Sequence, residues 1–457
     1  MGRYWNWYWY GPVAAVRPYI ITRSILLVFA FDAWTRSLRT AARYGSGDFN
    51  VAHFSWLDAV QPLPTASVRV GVLVSTGLLA MTIVCGGGGR LLLAALALIH
   101  TYGWSMSMFD SFQHHYFLSL TLLCLVFFPS IHGRDLARQP AETPDGTDHP
   151  DRRAGPSTSA WAYVLLGVTV AIVYAFAAVP KLEYEWSSGQ TFRSIAGTQI
   201  LDPLAELGAG LGISQGWFWL VIASSVAVLE LLLAVGYLAA VRQDSMTARQ
   251  ARLIGGSAWA LAMLLHLGAE MIQLHIGWFS YYMLVLACGF LLPVQWLRPI
   301  VRIIIWVPTR CAAGLERIQQ GVSPTMQSVV TTGLALGVGC TAAFVGTRLD
   351  LPGSTIVCAS IGIALAVGTF FTSRRAGQLA AQRYAIAGLL AAGVLWAAIA
   401  RSDVRYDYYR YLGYDLEARG TPRAALTAYL QAERYAPAGE SRGDRIDALR
   451  QNIGAME

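Results

Sequence analysis

The sequence predicts an all-α polytopic membrane protein: a bundle of about eleven transmembrane helices with a small helical C-terminal extension. Three observations carry that expectation. Of 457 residues, 55% are hydrophobic and only 13% are Asp, Glu, Lys or Arg, about half the roughly 25% charged share of a soluble domain. Apolar runs close to the ~20 residues that cross a bilayer recur along the chain. The basic residues behind the net charge of +7 sit in short clusters between those runs. Such clusters set membrane orientation and do not make the continuous basic face that binds nucleic acid.

The elements follow in order. The opening MGRYWNWYWY has six aromatics in ten residues and no signal-peptide apolar core, and it reads as an interfacial aromatic belt. Spans are expected near 16–36, 67–86, 91–110, 112–130, 159–180, 216–240, 253–273, 276–296, 326–346, 354–372 and 380–400. The 131–158 connection is polar, Pro-rich and mixed in charge, the composition of a loop. Segment 183–214, with Gly189, Gly197, Gly208, Gly210, Gly212 and Pro203, could be re-entrant, interfacial or a folded loop, and it is not counted as spanning. A cytoplasmic N-terminus puts most Arg clusters inside, among them Arg152–Arg153, Arg242–Arg252, Arg298–Arg317 and Arg374–Arg383. The Arg36, Arg39 and Arg43 loop is the exception. On this count the C-terminus lies outside. The six cysteines show no zinc or redox spacing, most lie in apolar runs, and they read as small buried hydrophobes.

From Arg401 onward nine arginines balance nine acids, so this tail is soluble. Tyr409, Leu412, Gly413, Leu416, Gly420, Ala425, Tyr429, Ala432 and Pro437 fall at the spacing of a tetratricopeptide-like helix–turn–helix unit. The tail is either a hairpin packed on the membrane domain or a docking module in 406–453 for a protein or peptide client.

Ionisable residues inside spans are costly and therefore candidates for function. His114 and His115, flanked by Gln113 and Tyr116, put two imidazoles, an amide and a phenol on one helical turn. His266 and Glu270 are four apart, on one face, where a carboxylate can orient an imidazole or simply satisfy it. Gln273 follows in the same segment. Glu230, in SSVAVLELLLAV, needs a partner or a perturbed proton affinity. Lys181 closes the fifth run in AFAAVPKLEYEW. It is a general base if desolvation leaves a neutral amine, or a snorkelling helix-end cation. No metal is expected: His-x3-Glu lacks a second zincin histidine, and no ligand cluster adds to it.

Read in order, FSWLDAVQPLP (54–64), FQHHYFLSL, AAVPKLEYEWSSGQTF and HIGWFSYYML resemble the vitamin K-dependent gamma-carboxylases and their bacterial relatives, the horizontally transferred transmembrane (HTTM) domain proteins. The resemblance covers about 23–292 and divides the chain into a family-like domain (1–296), a linker with about three extra spans (297–400) and the tail (401–457). It implies an enzyme of a bacterial plasma membrane that uses a reduced vitamin K or menaquinone-type quinol, O2 and CO2 to modify a protein or peptide. By the same resemblance Lys181 is the base on the quinol, with Leu182, Trp186 and Gly189 in phase. His114, His266 and Glu270 join the catalytic set, while Gln113, His115, Tyr116, Trp186, Glu230 and Gln273 hold the quinone. The animal family's lumenal β-rich region has no counterpart. A membrane scaffold or peptide-maturation partner, or a proton-coupled transporter, would use the same polar residues as helix locks or a proton path.

Overall fold

A computed structural model describes residues 2–44, 65–86, 89–105, 113–128, 136, 157–159, 161–196, 198–274, 276–302, 314, 317 and 321–456. The 54–64 motif and nearly all of the 131–158 connection lie outside the described residues. In chain order the main helices are α1 (Gly2–Tyr10), α2 (Val16–Asp32), α3 (Ala66–Val84), α4 (Arg90–Ser105), α5 (Gln113–Val126) and α6 (Trp161–Ala178). Short helices α7 (Tyr184–Ser187), α8 (Gln190–Ile195) and α9 (Thr198–Gly210) precede α10 (Gln215–Ala240), α11 (Ala248–Met271) and α12 (Trp278–Leu291). Then come α13 (Pro324–Arg348), α14 (Ser354–Ala376), α15 (Gln378–Ile399), α16 (Ser402–Ala418), α17 (Pro422–Glu433) and α18 (Gly443–Met456). Among the described residues the strand content is one antiparallel ribbon, Pro12–Ala14 with Ser157–Ser159.

The chain is an all-α polytopic integral membrane protein. Each expected span falls on a helix, and seven helices are long and apolar enough to cross a membrane: α3, Trp161–Leu182, α10, Arg249–Met271, α13, α14 and α15. An eighth crossing exists if α12 and the following Val294–Arg302, bent by 116° at Pro293, form one broken span. Helix α2 continues through a π turn, Ala33–Ser37, to Thr40, while the described parts of α4 and α5 have 16 and 14 residues. The cysteine expectation is corrected: of the described cysteines only Cys358 is buried, and Cys340 is exposed. An apolar run in a membrane helix has an outward face as well as a packed one, so an apolar setting does not imply burial.

The structure divides into two compact units, 1–25 with 127–309 and 26–126 with 310–457. In the first, buried Arg17 binds Asp244 at 2.9 Å and donates to the carbonyls of Gly289, Phe290 and Leu292. Those carbonyls end α12, just before Pro293, which has no N–H to continue the ladder, so the guanidinium takes the place of the missing donors. Arg242 does the same for Tyr8 and Gly11 at the end of α1. The described residues of segment 183–214 form the three short helices α7 to α9. Phe192, Ala196, Leu201 and Ala205 from α8 and α9 form one apolar cluster with Trp219 and Ala223 at the start of α10.

In the second unit α13, α14 and α15 pack as a trio, with Val338, Leu365, Tyr384 and Ala385 in one cluster. Helices α16 and α17 form an antiparallel hairpin. A side chain at Gly413 would meet the Tyr429 ring at 2.8 Å, so glycine there permits the close crossing. Helix α18 adds Ile446 and Leu449 to the Ala425–Tyr429 cluster. The hairpin is fastened within its unit through both of its helices, at the end away from the turn. Arg39 pairs with Asp403 and Asp407, and Asp350 accepts from Gln431 at 2.6 Å and Tyr435 at 2.7 Å. The Tyr409 hydroxyl donates to the Asp350 carbonyl.

Candidate functional site

Three helices of the first unit, α6, α10 and α11, carry the ionisable groups that sequence alone singles out there. Pro180 ends α6: residues 179–182 continue as a single tighter turn, because proline can sit in the first turn of a helix but cannot sustain the ladder. That turn brings Lys181 back along its own helix. Its Nζ donates to the Ala177 carbonyl at 2.8 Å and to both carboxylate oxygens of Glu230, each at 2.8 Å. The side chains are 17% and 11% exposed, so Lys181 turns inward and does not snorkel. Glu230, isolated in an apolar run, finds its counter-charge on the neighbouring helix, which is how a charge is tolerated at this depth.

Trp186 closes the other side of the amine. Its ring centroid lies 5.2 Å from Lys181 Nζ, within cation–π range. The indole N–H donates to the Ala223 carbonyl at 3.0 Å, fixing the ring to α10. Behind it Phe192 meets Trp186 edge-on at 5.7 Å. The loop reaches this position through Gly189, which has φ of +79° and whose added Cβ would lie 2.4 Å from Trp219 Cβ. Both the left-handed backbone and the close approach demand glycine.

The expected His266–Glu270 pair is corrected. His266 is 4% exposed, and its Nε2 bonds instead to the Tyr174 hydroxyl on α6 at 2.7 Å. Among the described residues, His266 Nδ1 and Glu270 Oε1 are buried without a hydrogen-bond partner. An i,i+4 spacing puts two side chains on one face but does not compel a bond between them, and here the imidazole reaches across helices. Sequence reasoning missed Tyr174. The available signal was a hydroxyl-bearing residue seven positions before Lys181, two helical turns along the same face.

Gln273 closes α11. It sits at φ 57°, and the bonds Gln273 N–H to Glu270 O at 3.1 Å and Leu274 N–H to Ala269 O at 2.9 Å make a Schellman turn. Glycine is the usual residue at that position.

The remaining candidates belong to the second unit. His114 and His115 are half-buried at the start of α5 with ring centroids 4.2 Å apart. Tyr116 is 51% exposed and lies 5.5 Å from the Trp104 ring. The Gln113 side chain lies outside the described residues. No group of three or more potential metal ligands occurs among the described residues.

Lys181, Glu230 and His266, carried by α6, α10 and α11, are therefore set among apolar helix faces, where they pair with one another or with Tyr174. The HTTM domain family model matches residues 19–296. That is well over half of the chain, and the chain belongs to the HTTM domain family. No curated protein and no solved structure matches it.

Proposed function

We propose that the chain is a quinol-dependent, carboxylase-like membrane enzyme acting on a protein or peptide, with Lys181 as its base. The observation that carries this reading is the bond of Lys181 Nζ to both Glu230 oxygens at 2.8 Å. Once the ammonium has given up a proton, Nζ is a neutral amine with two N–H bonds for the acceptors around it, an indole face beside it and a lone pair that can take a proton.

The residues present fit a reduced vitamin K or menaquinone-type quinol. The polar atoms needed for its headgroup are Lys181, Glu230, His266 and Glu270. Exposed Phe176, Val179 and Leu182, next to Lys181 along the chain, offer apolar surface for an isoprenoid body. When bound, such a group supplies acidic hydroxyls and, with O2, oxidising power. The chain's own residues bind and orient it and take a proton at Nζ. Trp186 keeps the amine from water on one side. The extracytoplasmic tail, 406–453, is the place for a client to dock.

The test incubates purified protein with reduced menaquinone, O2 and labelled bicarbonate and measures quinone epoxide and labelled peptide. Lys181→Arg keeps a cation but, with a pKa above about 12, cannot accept a proton near neutrality. It is expected to abolish epoxide formation, as is Lys181→Ala. Full activity in Lys181→Arg overturns the assignment. A scaffold reading has one observation in its favour: the same ion pair ties α6 to α10, as a structural lock would. Absence of epoxide with every quinol tried selects that reading.

A further inference from the structure

We propose that Tyr174, His266 and Glu270 form a receptor for a single neutral hydroxyl group on an apolar ligand. The inference deepens the quinol reading and rests on it for the identity of the natural ligand, though not for the chemistry of the site. The logic starts from the Tyr174–His266 bond of 2.7 Å. A phenol gives its proton more readily than it accepts one, so Tyr174 donates to Nε2. That bond sets the tautomer: a neutral imidazole whose Nε2 accepts carries its proton on Nδ1. His266 therefore presents an N–H donor at Nδ1, and this atom has no partner among the described residues.

One turn further along α11, Glu270 Oε1 is an acceptor that is also buried and also unpartnered among the described residues. Residues four apart on a helix have Cβ atoms about 5–6 Å from each other, a gap that one oxygen bonded to both side chains can bridge. The complement of one donor and one acceptor at that separation is a group that accepts once and donates once. A hydroxyl does both; a ketone, an ether or a cation does not. Leaving such atoms unmade costs about 1–3 kcal/mol each, and two on adjacent turns of one face mark a place made for a partner. The surroundings choose between hydroxyl sources. Leu264, Leu267 and Met271 on the same helix are 61%, 48% and 67% exposed, so the outward face of α11 is apolar, and an alcohol or phenol on an apolar body suits that setting. Gln273 completes this end of α11, keeping its side chain where glycine would cost least.

In this assignment Tyr174 is a positioning residue. It touches no ligand and acts by holding the proton of His266 on Nδ1.

The test uses the full chain in lipid nanodiscs with 1-naphthol, an apolar bicycle bearing one hydroxyl, and 1-methoxynaphthalene, its capped counterpart. Neither probe depends on turnover, so binding can succeed where epoxide formation fails, and the two readings fall separately. Wild type is expected to bind 1-naphthol at least about tenfold more tightly than the ether, the worth of one hydrogen bond to a charged group. Glu270→Met should erase that preference, and Lys181→Met should keep it. Preference lost in Lys181→Met but kept in Glu270→Met means that the hydroxyl goes to the amine, which overturns the proposal. No preference in wild type means that the pair holds ordered water only, which overturns it too. Tyr174→Phe removes one oxygen and leaves packing intact. In 15N-histidine-labelled protein it should turn the His266 signals from a single Nδ1–H tautomer to a mixture, and unchanged signals sink the positioning role.

Discussion

Lys181 and Glu230 each exist as charges because the other is there. Glu230→Met strands an ammonium that is only 17% exposed, and breaking a buried pair from one side costs about 3–5 kcal/mol. The double variant Lys181→Met/Glu230→Met replaces both charges by apolar side chains of similar length and should recover most of that loss. Unfolding in mixed micelles reads the stability, and epoxide formation reads the chemistry. The expected result is a stable but inactive double variant. A double variant that retains turnover makes the pair a helix lock alone. The residue scale also shows what sequence could carry. Lys181, Glu230 and His266 stand out because charge and imidazole are rare in apolar runs. Their partners do not: Tyr174 and the Ala177 carbonyl look like ordinary helix interior until two helices are brought together.

At the scale of elements, the turn after Pro180 and the Schellman end of α11 place the two halves of the site. Gln273→Gly is expected to stabilise the protein by about 1 kcal/mol, the cost of a left-handed backbone for a residue with a Cβ. The same change should weaken quinol binding if the amide is part of the site. Thermal unfolding and a quinol titration on one preparation check both, and a stabilised variant with unaltered binding removes Gln273 from the candidate residues. Helix positions were readable throughout from apolar periodicity and length. Helix bends were harder to read. The break of 116° after α12 depends on Pro293 together with Arg17, which lies far away in sequence and supplies the donors that the broken ladder needs. Likewise, the glycines of 183–214 announced a loop, but only the contact between Gly189 and Trp219 shows why the loop folds onto α10.

For the whole molecule, the orientation read from the arginine clusters puts the tail outside. A single cysteine placed at exposed Ser441 should react with a membrane-impermeant maleimide added to intact cells, and labelling only after lysis reverses the topology. The tail is a mounted element and not a swinging arm. Asp350 is a non-glycine residue at φ 52° whose carboxylate holds Gln431 and Tyr435. Asp350→Ala should release α16 and α17 to fast hydrogen exchange, while Asp350→Asn, which tolerates the left-handed backbone and keeps an acceptor, should not. Equal protection in both variants would mean that the Arg39 contacts suffice.

That clamp also bears on biosynthesis. The second unit takes its pieces from 26–126 and from 310–457, with the other unit's residues translated in between. Arg39 leaves the ribosome more than three hundred residues before Asp403 and Asp407. Until then its charge has no native carboxylate, and α3 lacks the late helices against which it packs. Closure over so long a stretch is slow. The second unit therefore cannot close until residue 407 has been made, and a chain stopped before residue 403 lacks both carboxylates that Arg39 pairs with.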